Sequence, residues 1–306
     1  MTSPSARQST ARSARPLLVF GGSGQVGRQL LVALAPLGSI VAPPRAMADL
    51  TKPDDLKALV ERVQPAVVVN AAALTNVDAA ERDPALAHAV NEVAPGVIAS
   101  AARRVGALMV HYSTDYVFDG ASTTPYDETS MPNPINVYGA SKLGGERRVA
   151  EGEGPHLIIR TSWVYSSTGA GFVASLLHDL GQKQALRIVS DQVGSPTWSR
   201  SLATATAKLI DRAMRDGEPV LSPQDSGVYH LGGSGEASRI EIANALIEAM
   251  DIRPAAITPV SAADFGAAAP RPAYSALANT RTAQRFGVFL DPWRVELRRM
   301  VVDAVR

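Results

Sequence analysis

Short apolar runs alternate with helical patterns along most of the chain, and a glycine-rich turn follows the first run. Together these predict an α/β protein, a doubly wound parallel sheet with a second, smaller and discontinuous lobe. A third observation supports the class. Ala66-Val-Val-Val-Asn70 is apolar until its last residue, as expected of a strand covered on both faces.

The expected order begins with a strand at Pro16-Leu-Leu-Val-Phe20. A helix follows, on which Val26, Leu30, Leu31 and Leu34 recur at helical intervals. Next come a strand at 38–42, a helix at 54–63, the 66–70 strand, a helix at 85–105, a strand through Met109, a helix carrying Tyr138 and a strand at 156–160. Such βαβ units wind with a right-handed crossover. Beyond Trp163 the rhythm changes: 172–180 is amphipathic, 186–189 is a short strand, 202–214 is helical, and 228–231 reads as a strand returning to the main sheet. A helix at 239–250 and the Pro- and Ala-rich stretch to Pro272 belong to the smaller lobe. The expected division is 16–164 with 193–233 in the large domain and 165–192 with 234–306 in the small one. Residues 1–15, rich in Ser, Thr, Ala and Arg and lacking acids, read as a disordered N-terminal arm.

Composition excludes several classes. The chain has 306 residues, 46% hydrophobic and 19% charged, enough to bury a full core. Lys+Arg 30 against Asp+Glu 29 leaves no basic field for nucleic acid or an anionic membrane, and no apolar stretch is long enough to span a bilayer. With no cysteine there are no disulfides and no thiolate chemistry. The histidines, at 88, 111, 156, 178 and 230, lack ligand spacing, so no bound metal is expected. A cytoplasmic protein is the expected reading.

Three motifs carry chemistry. Gly21-Gly-Ser-Gly24-Gln-Val-Gly27 lies between the first strand and the first helix, where glycines permit a tight turn and close approach of a pyrophosphate to free N–H groups. The spacing is G-x-x-G-x-x-G, and its context is that of a Rossmann-like dinucleotide site. His111-Tyr-Ser-Thr114-Asp115-Tyr116-Val-Phe118 ends a parallel strand, the edge at which open α/β sheets bind ligands. A hydroxyl there can stabilise an oxyanion. Tyr138-Gly-Ala-Ser-Lys142 places a phenol and an ammonium on one helix face. An ammonium nearby is expected to lower the phenol's pKa from its ordinary value of ~10, toward the range of an effective general acid.

In this order the motifs resemble the short-chain dehydrogenase/reductase superfamily, extended type, and within it the dTDP-4-dehydrorhamnose reductase family. The resemblance runs almost end to end. It includes Phe20-Gly-Gly-Ser-Gly-Gln-Val-Gly27, Val69-Asn-Ala-Ala-Ala-Leu-Thr-Asn-Val-Asp78, His111-Tyr-Ser-Thr-Asp-Tyr-Val-Phe118 and Asn136-Val-Tyr-Gly-Ala-Ser-Lys-Leu-Gly-Gly-Glu146. It continues through Arg160-Thr-Ser-Trp-Val-Tyr165, Asp191-Gln-Val-Gly-Ser-Pro-Thr197 and Arg271-Pro-x-x-Ser-x-Leu277.

The resemblance implies NADPH-dependent reduction of the C4 ketone of dTDP-4-dehydro-L-rhamnose, the last step of dTDP-L-rhamnose synthesis, feeding O-antigen or another glycoconjugate. It implies Tyr138 as proton donor, Lys142 as its partner and a ribose ligand, and Thr114 polarising the carbonyl. Gly21, Gly24, Gln25, Val26 and Gly27 are implied at the pyrophosphate, Asp49 and Leu50 beside the adenine, Ala73, Leu74 and Thr75 along the cofactor's middle, and Tyr112 near the nicotinamide. Asp115 and Trp163 match sugar-contacting positions, and Arg271 a diphosphate contact. After the second strand the chain reads Ala42-Pro43-Pro44-Arg45, with no carboxylate to repel a 2′-phosphate. Arg45 either pairs with that phosphate or points to water; NADPH is favoured, with NADH tolerated. Some family members are expected to dimerise around Mg2+ held by glutamates. Gln29, a weaker ligand, stands at one such position, which argues against a metal-linked dimer and leaves monomer and homodimer open. Two other functions stay open: a reductase or epimerase of another nucleotide sugar, and a non-catalytic NADP-binding regulatory subunit of the methionine adenosyltransferase type. The intact Thr114, Tyr138 and Lys142 argue against the latter.

Overall fold

In the first strand, Leu17–Phe20, alternate side chains enter two different cores. Leu17 and Val19 join one apolar cluster, Leu18 and Phe20 the other, and all four are buried. A computed structural model describes residues 15–169, 171–180, 185–252 and 256–305 and accounts for this double burial. The strand sits inside a six-stranded, wholly parallel sheet in the order Gly227–His230, His156–Thr161, Leu108–Thr114, Val67–Asn70, Leu17–Phe20, Ile40–Val41. The helices Gln25–Leu34 and Ser199–Ala213 cover one face, and Pro53–Val63 and Ala94–Arg104 the other. From the first strand the chain runs outward to Ile40–Val41, then crosses back to Val67–Asn70 on the other side. That reversal is the switch point at which a crevice opens beyond the carboxyl ends of the strands.

The smaller lobe has its own core. Helices Phe172–Leu180, Arg239–Met250 and Trp293–Val305 pack on strands Ala185–Val189 and Ala256–Val260, which pair in parallel. The Arg239 helix begins with a capping box, Ser238 and Glu241 each satisfying the other's backbone N–H. Two short pairings stitch the lobes together: Val164–Tyr165 with Thr197–Trp198, and Val193–Gly194 with Ala237–Ser238.

The structure departs from the sequence expectations in four places. Ile40–Val41 is a strand of only two residues. The helix expected over 85–105 is broken by a π-helical segment, Ala89–Val93, between Pro84–His88 and Ala94–Arg104. Thr280–Phe286 packs on the large domain rather than the small lobe: Arg281 donates to Val228 O, Thr282 to His230 O, and Phe286, Val288 and Leu290 enter the core beneath the sheet. Residues 1–14 of the expected arm lie outside the described residues, but Arg15 is no part of a loose arm. Its guanidinium donates to the carbonyls of Pro65 and Val105, both at 2.5 Å, and pairs with Glu218 at 2.8 Å.

Candidate active site

The glycine turn is as tight as the residues allow. A Cβ on Gly27 would fall 1.9 Å from the carbonyl oxygen of Gly21, and Gly21 itself has φ +80° with the Ala72 backbone against it. Gly24 caps the Gln25–Leu34 helix without a side-chain hydrogen bond, so the helix's first N–H groups keep no side-chain partner. A cavity of about 910 Å³ runs from this turn past Arg45, Asp49 and Thr75 to Tyr138 and Lys142. These features fit a bound dinucleotide: the closeness of the turn, the uncapped helix start and the length of the cavity are what such a ligand needs.

Each expected cofactor residue has a definite place. Gly21, Gly24, Val26, Leu50, Ala73 and Leu74 line the cavity. Arg45 is exposed at its rim. The Asp49 carboxylate is held below its usual value, chiefly by hydrogen bonds from Thr51. Two of the expected residues line the cavity while their side chains are engaged elsewhere in the fold. The Gln25 side chain turns away from the turn, donating to Val164 O at 2.9 Å and accepting from Ser166, so only its backbone remains at the helix start. The Tyr112 phenol is buried against Thr206 at 2.6 Å, and its contribution to the site is its carbonyl oxygen.

Helix Val137–Glu151 presents Tyr138 and Lys142. Asn136 caps it, accepting from Gly139 N at 2.7 Å, and a Cβ on Gly139 would fall 2.0 Å from Tyr116 O. That contact presses the helix onto the turn after the fourth strand, where Thr114 and Asp115 lie. The Tyr138 ring meets Tyr116 edge-on, with centroids 5.8 Å apart. The expected lowering of the Tyr138 pKa by Lys142 is not how the site is built. Burial pushes the phenol up, Asp115 and Tyr116 add to the rise, and a hydrogen bond with Thr114 opposes it. Lys142 Nζ instead donates to Tyr112 O at 2.5 Å and lies 3.4 Å from His111 Nε2. Burial lowers Lys142 to about 8, against the pull of Glu146 one turn along.

Asp115, expected at the sugar, is a buried tie between segments. Its Oδ2 accepts from Ser275 at 2.5 Å and Ser162 at 2.9 Å, its Oδ1 from Thr114, and burial raises it to about 6. Trp163 stands at the lobe junction with φ +44°, an uncommon left-handed conformation for a bulky residue. A Cβ on Gly194 would lie 2.5 Å from its indole, so the ring lies flat on that glycine. Over it, 4.3 Å from the ring, lies the Arg239 guanidinium, which also faces Phe172 and hydrogen-bonds Tyr116. Arg271 pairs with Asp78 at 2.9 Å and bonds Ala269 O. With Arg82, Arg187 and Arg239 it lines a second cavity of about 640 Å³ in the smaller lobe's side of the cleft.

Sequence reasoning missed four participants. Asn91, in the π segment, clamps the Leu74 backbone by accepting from its N–H and donating to its C=O, and also donates to Ser141 on the Tyr138 helix. Its signal was a polar residue among apolar ones on a helix. Glu146 and Arg160 form a buried bidentate pair under the site, and Glu146 also accepts from Ser113 at 2.5 Å. Arg239 is the first residue of its helix, and no motif in the sequence singles it out. Among the described residues no group of three or more His, Asp or Glu could hold a metal.

A Tyr-x-x-x-Lys helix over the switch-point crevice of a parallel sheet, closed from above by a second lobe, is the arrangement of extended short-chain dehydrogenases/reductases, and the chain is of that class. Comparison with known proteins narrows this. The family model described as RmlD substrate binding domain matches residues 15–306. The dTDP-4-dehydrorhamnose reductase of Burkholderia thailandensis is 45% identical over 285 residues, covering 91% of this chain and 95% of that protein. Two solved dTDP-4-dehydrorhamnose reductases are similar throughout. One, from Bacillus anthracis in complex with NADP, has TM-score 0.86, 33% identity and coverage of 94% and 99%. The other, from Clostridium acetobutylicum, has TM-score 0.88, 30% identity and coverage of 95% and 100%. The chain belongs to the dTDP-4-dehydrorhamnose reductase family.

Proposed function

We infer that this chain reduces dTDP-4-dehydro-L-rhamnose to dTDP-L-rhamnose with NADPH. The observation that carries the reading is Tyr138 and Thr114 meeting at the inner end of the large cavity, in a chain of this family. NADPH bound along the glycine turn supplies the hydride. The residues supply the rest. Thr114's hydroxyl polarises the C4 carbonyl, and Tyr138, which burial keeps protonated, donates its proton to the oxyanion formed there. Lys142 anchors the cofactor side of the site, and Asp115 holds the Thr114 turn in place through Ser162 and Ser275. Arg239 and Arg271 face the sugar nucleotide's diphosphate, with Trp163 against the sugar ring. Arg45 at the rim, with no acid at 42–45 directly after the second strand, favours NADPH over NADH, and a cytoplasmic setting fits that need.

The test is NADPH consumption with enzymatically prepared dTDP-4-dehydro-L-rhamnose beside the matching UDP-4-keto sugar. Rapid loss of NADPH absorbance with the dTDP substrate alone is expected. Silence with both, from folded protein that binds NADPH, would overturn the reading and point to another nucleotide sugar.

A further inference from the structure

Lys142 is the near end of a buried chain of three side chains. Its Nζ lies 3.4 Å from His111 Nε2, and His111 Nδ1 lies 3.2 Å from Asn70 Nδ2. His111 and Asn70 are wholly buried on adjacent strands and paired in register, Asn70 ending its strand and His111 at the middle of Leu108–Thr114. A neutral imidazole holds one proton, and the partner of one nitrogen decides which nitrogen carries it.

Here the far end of the chain decides. The Ala72 backbone N–H donates to Asn70 Oδ1 at 3.2 Å, which orients the carboxamide with oxygen toward Ala72 and nitrogen toward His111. An amide nitrogen only donates, so His111 Nδ1 accepts, and the imidazole proton sits on Nε2, aimed at Lys142. Burial, and then the Lys142 charge, hold His111 well below the ordinary histidine value, so the ring has no second proton to place. An N–H directed at an ammonium is repulsive. Directed at the lone pair of a neutral amine it is a hydrogen bond, while the amine keeps the Tyr112 carbonyl as its own acceptor at 2.5 Å.

We propose that Asn70 and His111 are positioning residues that favour the neutral amine of Lys142 through the Nε2–H tautomer of His111, easing the return of a proton from the ammonium to the Tyr138 phenolate left after Tyr138 has protonated the oxyanion. The proposal rests on the reading of Lys142 as a site residue of the reductase. The low proton affinity of buried Lys142 runs in the same direction. Other ionisable neighbours do not supply the effect. Glu146, on the same helix, favours the ammonium and is engaged by Arg160 and Ser113, Tyr138 is protonated, and Asn91, packed on the helix, is neutral.

Long-range proton–nitrogen NMR of the full chain labelled with 15N-histidine reads the tautomer directly. The Nε2–H form of His111 is expected at neutral pH; the Nδ1–H form would overturn the proposal. A titration of 13C-labelled lysine then gives the sign of the coupling. His111→Leu removes a donor to the amine and should raise the Lys142 pKa by roughly one unit, with the acid limb of the turnover profile moving alike. No change, or a fall, means that His111 accepts from the ammonium and overturns the proposal. Should His111→Leu fail to fold, the nearly isosteric Asn70→Asp keeps the test. An acceptor at both oxygens should switch His111 to Nδ1–H, and retention of Nε2–H would count against the mechanism. Full turnover by Lys142→Ala would instead overturn the reading on which the proposal stands, whatever the tautomer.

Discussion

Tyr138 has surroundings that suit a proton donor rather than a nucleophile, because burial disfavours its phenolate. Removing the hydroxyl alone should therefore stop proton transfer without disturbing the fold. Tyr138→Phe is expected to lower turnover by about 10²–10⁴-fold while NADPH affinity, read by fluorescence titration, hardly changes. Retention of most activity would remove Tyr138 from its role. Trp163 offers a sharper residue-scale test, because its indole rests directly on Gly194. The ring cannot slide freely, since the Trp163 backbone already occupies the left-handed region and the Arg239 guanidinium lies over the ring. Gly194→Ala should push the indole into the cleft and raise KM for the sugar nucleotide about 10-fold, equivalent to ~1.4 kcal/mol. A smaller change in kcat should accompany it; an unchanged KM would place Trp163 outside the substrate site.

The π segment Ala89–Val93 shows how an element serves the site. One extra residue per turn is uncommon and tends to occur where a side chain must be redirected. Here it sets Asn91 against the Leu74 loop and the Tyr138 helix together, through hydrogen bonds of 2.9 Å and 3.1 Å to the Leu74 backbone and 3.1 Å to Ser141. Asn91→Leu leaves the Leu74 N–H and C=O without that partner. It should cost about 2 kcal/mol, the low end of roughly 1–3 for each stranded group, because Leu74 is only half-buried. Because Leu74 lines the cofactor cavity, weaker NADPH binding should accompany the lower Tm. A variant that loses stability but binds NADPH normally would separate the clamp from the cofactor.

At the scale of the molecule, the buried histidines make stability depend on pH. His111 and His230 are wholly buried and depressed from 6.5, in each case chiefly by burial, His230 to about 3. Below 6.5 the unfolded chain binds protons that the folded chain refuses, so stability falls as pH falls, by about 1.4 kcal/mol per unit for each ring. Asp115 acts with the opposite sign. Its folded value of about 6 lies above the usual 3.8, so its contribution is complete below the lower value and lost as pH rises through the upper. Glu128, half-buried and also raised by burial, acts in the same sense as Asp115, while buried His156, depressed by burial, adds to the two rings, which dominate above about pH 5.5. Urea unfolding should give a lower midpoint at about pH 5.5 than at about pH 7.5. Asp115→Asn should steepen that dependence. A higher midpoint in acid would show that these rings are not held neutral in the fold.

Much of this protein is readable along the chain, because its signals are local. Glycines at Gly21, Gly24 and Gly27, the alternation of Leu17–Phe20 between two cores, and Tyr138 one helical turn from Lys142 all depend on neighbours within a few residues. What stayed hidden depends on residues far apart in the chain that meet only once it has folded. Gln25 reaches Val164 across 139 positions and Asp115 reaches Ser275 across 160, so the sequence showed their place at the cavity but not the ties they make within the fold. Arg239 over Trp163, the return of Thr280–Phe286 to the large core, and Ala72 acting through Asn70 on His111 are of the same kind. Periodicity tells which face of an element is buried, but not which distant group it is buried against. The burial that holds Tyr138 protonated and Lys142 ready to lose its charge comes from that long-range packing, which no spacing in the chain encodes.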